Sequence, residues 1–207
     1  MKYWTLCLLA LLVGCAQEPA TGPWRLDNSQ STLSFVSTKA VDVAEVHRFT
    51  ELSGAVDAAG AVRVAIELAS VDTLIPIRDE RMRELLFNVP VFPRATVTGA
   101  VNLEVFEAMP AGTSMEAAQD LTLELHGVSA GVAAEVLVSK VAPDRVVVAS
   151  LRPVIVSAGV FGLGAGVEAL REVAGLPSIG SSVPVSFVLS FERGGGGADA
   201  AETTENK

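Results

Sequence analysis

The chain is poor in the residues that most often carry chemistry or hold small folds together. It has two cysteines, two histidines and only 5% aromatic residues. Cys7 falls inside an N-terminal apolar stretch expected to be cleaved off, which leaves Cys15 as the one cysteine of the mature chain. No intrachain disulfide can then form, so stability has to come from a buried core. A catalytic zinc site usually draws on three protein ligands. His47 and His126 are far apart and have no identifiable carboxylate partner, so no metal is expected and both are assigned hydrogen-bonded structural roles.

The N-terminal apolar stretch, Leu6 to Val13, is too short for a bilayer span of about 20 residues but has the length of a secretory h-region, with Lys2 before it. Residues 1–14 are therefore expected to be a signal peptide. Leu12-Val13-Gly14-Cys15 has the form of a bacterial lipobox, which makes Cys15 the expected site of lipidation and gives membrane attachment through an acyl anchor. An ordinary cleaved signal followed by a stray cysteine is the alternative. The expected location is the bacterial cell envelope, facing the periplasm. Ala16 lacks the aspartate of inner-membrane retention, which favours the outer membrane in a Gram-negative host. The formal charge of -9 becomes -10 once Lys2 is lost, because no acidic residue precedes Cys15. Such acidity opposes nucleic acid and anionic membrane surfaces. Residues 15–23 read as a lipidated linker and 194–207 as a disordered, glycine-opened tail.

About 170 residues remain between the tails, the size of one β domain able to bury most of its apolar surface. Residues 24–193 are expected to form it. The dominant period is two: Val62, Val64, Ile66 and Leu68 alternate with Arg63, Ala65 and Glu67, and Val183 to Phe191 and Leu121 to Leu125 behave likewise. Further strands are expected over Thr32–Thr38, Glu45–Val56, Ala95–Phe106, Val132–Lys140 and Arg145–Val156. Ile77–Leu86 and Val167–Ala174 have helical spacing. About eight strands without parallel βαβ spacing imply an all-β antiparallel barrel with one or two short helices, with a two-sheet sandwich as the alternative. The apolar set is mostly Val, Ala and Leu, side chains that can line a cavity without filling it. An eight-stranded interior is either plugged by side chains or admits one slender ligand, and composition leaves both open.

Patterns that suggest enzymes lack the context they need. Gly127-Val128-Ser129-Ala130-Gly131 matches G-x-S-x-G, but a nucleophile elbow requires a strand, a turn and a helix, and here another strand follows. Gly159, Gly162, Gly164 and Gly166 precede a helix without the G-x-G-x-x-G spacing or a Walker lysine. No catalytic residue is expected.

The segment SVDTLIPIRDERMRELLFNVPVFP, Ser70 to Pro93, supplies the strongest signature. Its Ser70-x-Asp72-Thr73, Arg78-Asp79, Met82-Arg83, Phe87 and Phe92-Pro93 resemble, in order, the signature of the YceI-like family. LTLELHGV, Leu121 to Val128, resembles that family's second motif, a strand closing in His-Gly. The resemblance spans roughly Trp24 to Arg193 and implies a lipocalin-like barrel holding a long apolar lipid, a polyisoprenoid or another lipid such as a quinone, with no further cofactor. Arg78 and Asp79 are then expected to fix the charged helix across one barrel end, turning Met82, Leu86 and Phe87 to the lumen. His47 and Phe49 match a family segment in which Arg48 replaces a small residue, and Phe161 matches a family aromatic within the divergent segment 157–182. Alternation and resemblance together place Phe35, Val185, Phe187 and Leu189 inside. The sequence specifies no protein partner, and a homodimer is left open. An envelope interaction module with a filled barrel is the alternative function, and an enzyme acting on the lipid comes third.

Overall fold

The computed structural model describes residues 22–194. The expectations for the signal segment, for Cys15 and its linker up to residue 21, and for the tail from residue 195 lie outside them. Twelve hydrogen-bonded strand segments follow in order: β1 Trp24–Leu26, β2 Thr32–Lys39, β3 Val43–Phe49, β4 Leu52–Val56, β5 Ala61–Glu67, β6 Val71–Asp72, β7 Arg94–Ala100, β8 Thr113–Leu125, β9 Val128–Ala142, β10 Arg145–Ser150, β11 Val154–Ser157 and β12 Ser182–Arg193.

Every pairing is antiparallel, and the segments occupy eight wall positions because four strands are interrupted. β1 and β2 share one position, as do β3 and β4, β5 and β6, and β10 and β11. β1 pairs with β4 while β2 pairs with β3, and β4 and β3 pair in turn with β5 and β6. The wall continues through β7, β8, β9 and β10. β12 takes β10 and β11 on one side and β1 and β2 on the other, closing the ring. This is the expected eight-stranded antiparallel barrel.

Three neighbouring positions break at one level, and two side chains satisfy the backbone groups released there. Asn28 donates to the Thr50 carbonyl at 3.0 Å and accepts from the Leu52 amide at 2.8 Å. The Ser70 hydroxyl accepts from the amides of Thr50 and Glu51 at 3.2 and 3.0 Å and donates to the Glu67 carbonyl at 2.7 Å. Ser70 of the first signature is thus the clasp of a wall break, since a buried amide left unpaired costs free energy.

The boundaries differ from the sequence reading in specific ways. Glu45–Val56 is two strands, β3 and β4, parted at Thr50 and Glu51. Arg145–Val156 is also two, parted at Leu151–Pro153, where Pro153 has no N–H to give to a ladder. The strand expected over Ala95–Phe106 ends at Ala100; Asn102 then accepts from the Glu104 amide at 3.1 Å and caps a short helix, α2, Leu103–Glu107. β8 begins at Thr113, well before Leu121. The charged helix is α1, Pro76–Arg81, continued by a π-helical turn over Met82–Leu86. The last helix, α3, spans Gly164–Val173. There are therefore three α-helices among the described residues.

The helices close the barrel ends. α3 lies against the π turn, where a Cβ on Gly166 would stand 2.7 Å from the Leu85 carbonyl oxygen and 2.8 Å from Leu86 Cα. Only glycine permits that approach, so this glycine belongs to a helix contact. Together with α1, these elements cover one end; α2 covers the other.

Candidate functional site

Alternation along the strands sends Leu33 and Phe35 of β2, Val64 and Ile66 of β5, Leu121, Leu123 and Leu125 of β8, and Phe187 and Leu189 of β12 inward. They do not meet in the middle. The lumen holds two chambers, one of about 170 Å³ toward α2 and one of about 190 Å³ toward α1. Leu33, Ile66, Val97, Leu121 and Phe187 line both and form the waist between them. The α1-side chamber is lined by apolar side chains alone, and the α2-side chamber adds a single polar residue, Gln119. An engineered apolar void of roughly 150 Å³ stays dry and takes up benzene, so each chamber has room for organic matter and little attraction for water.

The α1 end is fastened by charge and hydrogen bonds. Arg78 donates to Glu45 of β3 and to the Thr73 carbonyl, both at 2.7 Å, while Asp79 accepts from the Thr73 amide and hydroxyl at 2.9 and 2.5 Å. Lys39 stands 2.8 Å from the same Glu45 carboxylate. Its hydrogen bond from Lys39, with the Arg78 cation beside it, holds the Glu45 carboxyl below the usual range. Asp72 accepts from Arg48 and from the Leu74 amide, each at 2.9 Å. The first signature is thereby a set of fasteners for the end cap.

Beneath that cap, rings lead from the charged cluster into the chamber. His47 lies edge-on to Phe35 at 5.3 Å, Phe35 is 5.3 Å from Phe49, and Phe49 is 5.9 Å from Phe87. The His47 Nε2 shares a 2.8 Å hydrogen bond with the Ser37 hydroxyl, and its Nδ1 is buried without a partner among the described residues. Burial pushes its pKa down, and the Arg78 cation acts in the same direction.

The opposite end is closed by Leu103 and Phe106 of α2 above Trp24. Arg193 lies over the Trp24 ring at 4.6 Å and pairs with Glu107, and Lys140 donates to the Glu107 carbonyl at 2.8 Å. This tie between α2 and the chamber wall gave no sequence signal, since its members are scattered single charges.

Of the residues singled out in the sequence, Phe35, Phe49, Leu86, Phe87 and Val185 line the α1-side chamber, Leu189 the α2-side chamber and Phe187 both. Three do not reach a chamber surface. Met82 is buried beneath the cap, Phe161 is 2% exposed within the segment before α3, and His47 stands behind Phe35. Sequence reasoning missed Leu163 and Val167, which bring the 157–182 segment onto the α1-side chamber, and the whole α2 closure. Ser129 lies within β9, opposite Glu124 of β8, so no strand–turn–helix elbow surrounds it.

The architecture has solved counterparts. A polyisoprenoid-binding domain from Saccharophagus degradans, implicated in plant cell wall breakdown, superposes with a TM-score of 0.82 at 37% identity, covering 84% of this chain and all of that one. BcnA from Burkholderia cenocepacia shares the fold at TM-score 0.61 and 20% identity, over 80% of this chain and 98% of its own. The Campylobacter jejuni YceI protein matches at TM-score 0.50 and 15% identity, over 70% and 82%. No curated protein matches the chain in sequence. The family model for the YceI-like domain matches residues 24–191, from the first wall strand nearly to the end of the last, and the chain belongs to that family.

Proposed function

We propose that the chain is a periplasm-facing lipoprotein that binds or carries one long apolar, isoprenoid-like lipid inside the barrel. The observation that carries this reading is the two-chambered apolar lumen. Apolar walls with no partner atoms across the space forgo dispersion contacts, and an apolar occupant supplies them. At about 0.8 kcal/mol per buried methylene, one isoprene unit contributes roughly 3 kcal/mol, and a few units reach micromolar affinity after ordering costs. The relative from Saccharophagus degradans is a polyisoprenoid-binding domain, which supports the same ligand class here.

Burial of an apolar chain is sufficient chemistry and calls for no catalytic group. The envelope address rests on the N-terminal sequence, Leu12-Val13-Gly14-Cys15. The test is mass spectrometry of an organic extract of the purified protein. A stoichiometric isoprenoid-like or quinone lipid is the expected result. A protein that yields no lipid and melts at the same temperature before and after extraction would overturn the reading and leave a filled-barrel interaction module.

A further inference from the structure

The exposed aliphatic side chains of this barrel are not spread evenly. Val41, Leu74 and Val46 are the three most exposed large ones among the described residues, at 84%, 82% and 68%, and all three stand at the α1 end. Val43, Ile75 and Ile77 are exposed beside them. Single surface aliphatics are ordinary, whereas a cluster of this size marks a surface that meets another apolar phase.

The pairing brings the six together. Arg48 faces Asp72 and Phe49 faces Val71 across β3 and β6, and two residues further along that antiparallel register Val46 comes beside Leu74. Val43 sits opposite Lys39 in the β2–β3 hairpin, whose tip holds Val41. Lys39 and Arg78 both reach the Glu45 carboxylate, which ties this hairpin to the start of α1, where Ile75 and Ile77 lie. Val41 and Leu74 have positive φ, 78° and 61°, a conformation that suits Gly, Asn or Asp and is uncommon for aliphatic residues. The fold thus keeps two aliphatic side chains in water at positions where a small polar residue is easier to hold.

Charge and chain path narrow the occupant. The formal charge of -9 opposes an anionic surface. Around the cluster the charge nearly cancels, since residues 39–48 carry two cations and two acids and residues 72–84 three cations and four acids. The chain enters the barrel at β1, in the wall position that β2 continues to the hairpin, and the nine residues 15–23 extend to at most about 30 Å. A barrel tethered at Cys15 can therefore lie along its membrane with the hairpin against it.

Building on the lipid-binding reading above, we propose that this rim docks the barrel on a lipid bilayer of low net charge, with Val41, Leu74 and their neighbours entering the boundary between headgroups and acyl chains. Docking there sets the α1 cap, and the chamber beneath it, against the phase that dissolves apolar lipids.

The test uses the mature-length chain, residues 15–207, with Cys15→Ser so that no acyl group contributes. It should sediment with phosphatidylcholine vesicles, and less with vesicles that also contain phosphatidylglycerol. Val41→Asn with Leu74→Asn leaves the charge unchanged and suits the positive φ, so the melting temperature should hold or rise while vesicle binding falls about tenfold per residue. Ile155→Asn, an exposed position on β11, should bind vesicles like the parent. Equal sedimentation of the parent and the double variant overturns the docking surface, and preference for the anionic vesicles overturns its low-charge partner. A parent that binds geranylgeraniol but no vesicles overturns the docking and spares the lumen reading; vesicle binding that depends on the two residues, in a chain that takes up no geranylgeraniol, does the reverse. A dimer in sedimentation velocity that the double variant abolishes, without vesicle binding, gives the rim to a second copy and overturns the proposal.

Discussion

The Phe92 ring packs on the His126 imidazole with centroids 4.3 Å apart, so the two signatures of this chain, far apart in sequence, meet at the β8–β9 turn. His126 and Gly127 both adopt positive φ there, 54° and 76°, as a two-residue hairpin turn requires. A Cβ on Gly127 would lie 2.9 Å from the Phe92 ring.

Gly127→Ala should accordingly lose about 1–3 kcal/mol in denaturant unfolding, from backbone strain together with the displaced ring. A variant as stable as the wild type would show that the turn and ring tolerate the added carbon.

On the lipid-binding reading proposed above, extraction with organic solvent should lower the melting temperature, because a ligand that binds only the folded chain stabilises it. Differential scanning calorimetry of the extracted protein, before and after adding geranylgeraniol, reads this directly. The expected outcome is a drop on extraction and a concentration-dependent recovery.

Bulk added to the lumen separates an open interior from a filled one. Val185→Phe and Leu189→Trp project into the α1-side and α2-side chambers respectively. Both should fold and hold less lipid. A filled core would instead lose roughly 1–3 kcal/mol to overpacking.

Stability should fall as the solution is acidified, in two windows. Burial holds His47 below its ordinary 6.5 in the folded state. Below pH 6.5 the unfolded chain therefore takes up the proton first, and stability declines as pH falls toward the folded pKa. Glu45, also depressed, adds a second decline below its ordinary 4.5. His47→Phe should flatten the first window in urea titrations and leave the second; an unchanged slope between pH 7 and 5 would assign that window elsewhere.

Labelled palmitate should enter the wild type and not Cys15→Ala, which should be misprocessed or released from membranes. A mature wild-type chain that begins at another residue removes the anchor.

The barrel was legible because half-buried strands alternate, and eight alternating runs survive in the sequence. What escaped follows from residues that obey another rule locally. The break between β10 and β11 keeps the inward phase of Val146, Val148, Val154 and Val156, so alternation alone cannot reveal it, and Pro153 was the sole signal. The start of β8 was lost because its inward residues Ala117 and Gln119 are small or polar. Leu103 and Phe106 sat in a Val-rich run that read as strand, though Asn102 before them was a helix cap. For the site, the resemblance reached the α1 end, where fasteners cluster in one segment; the α2 end is assembled from Trp24, Glu107, Lys140 and Arg193, which no local pattern joins.

Phe187 faces both chambers from the waist. A lipid long enough to occupy both would pass between this ring and the other waist residues, Leu33, Ile66, Val97 and Leu121, on entry and again on departure. On the lipid-binding reading proposed above, a short chain confined to one side would exchange without crossing the waist, whereas a spanning chain would have to cross it. Release from this barrel is then expected to show two kinetic phases whose separation depends on ligand length.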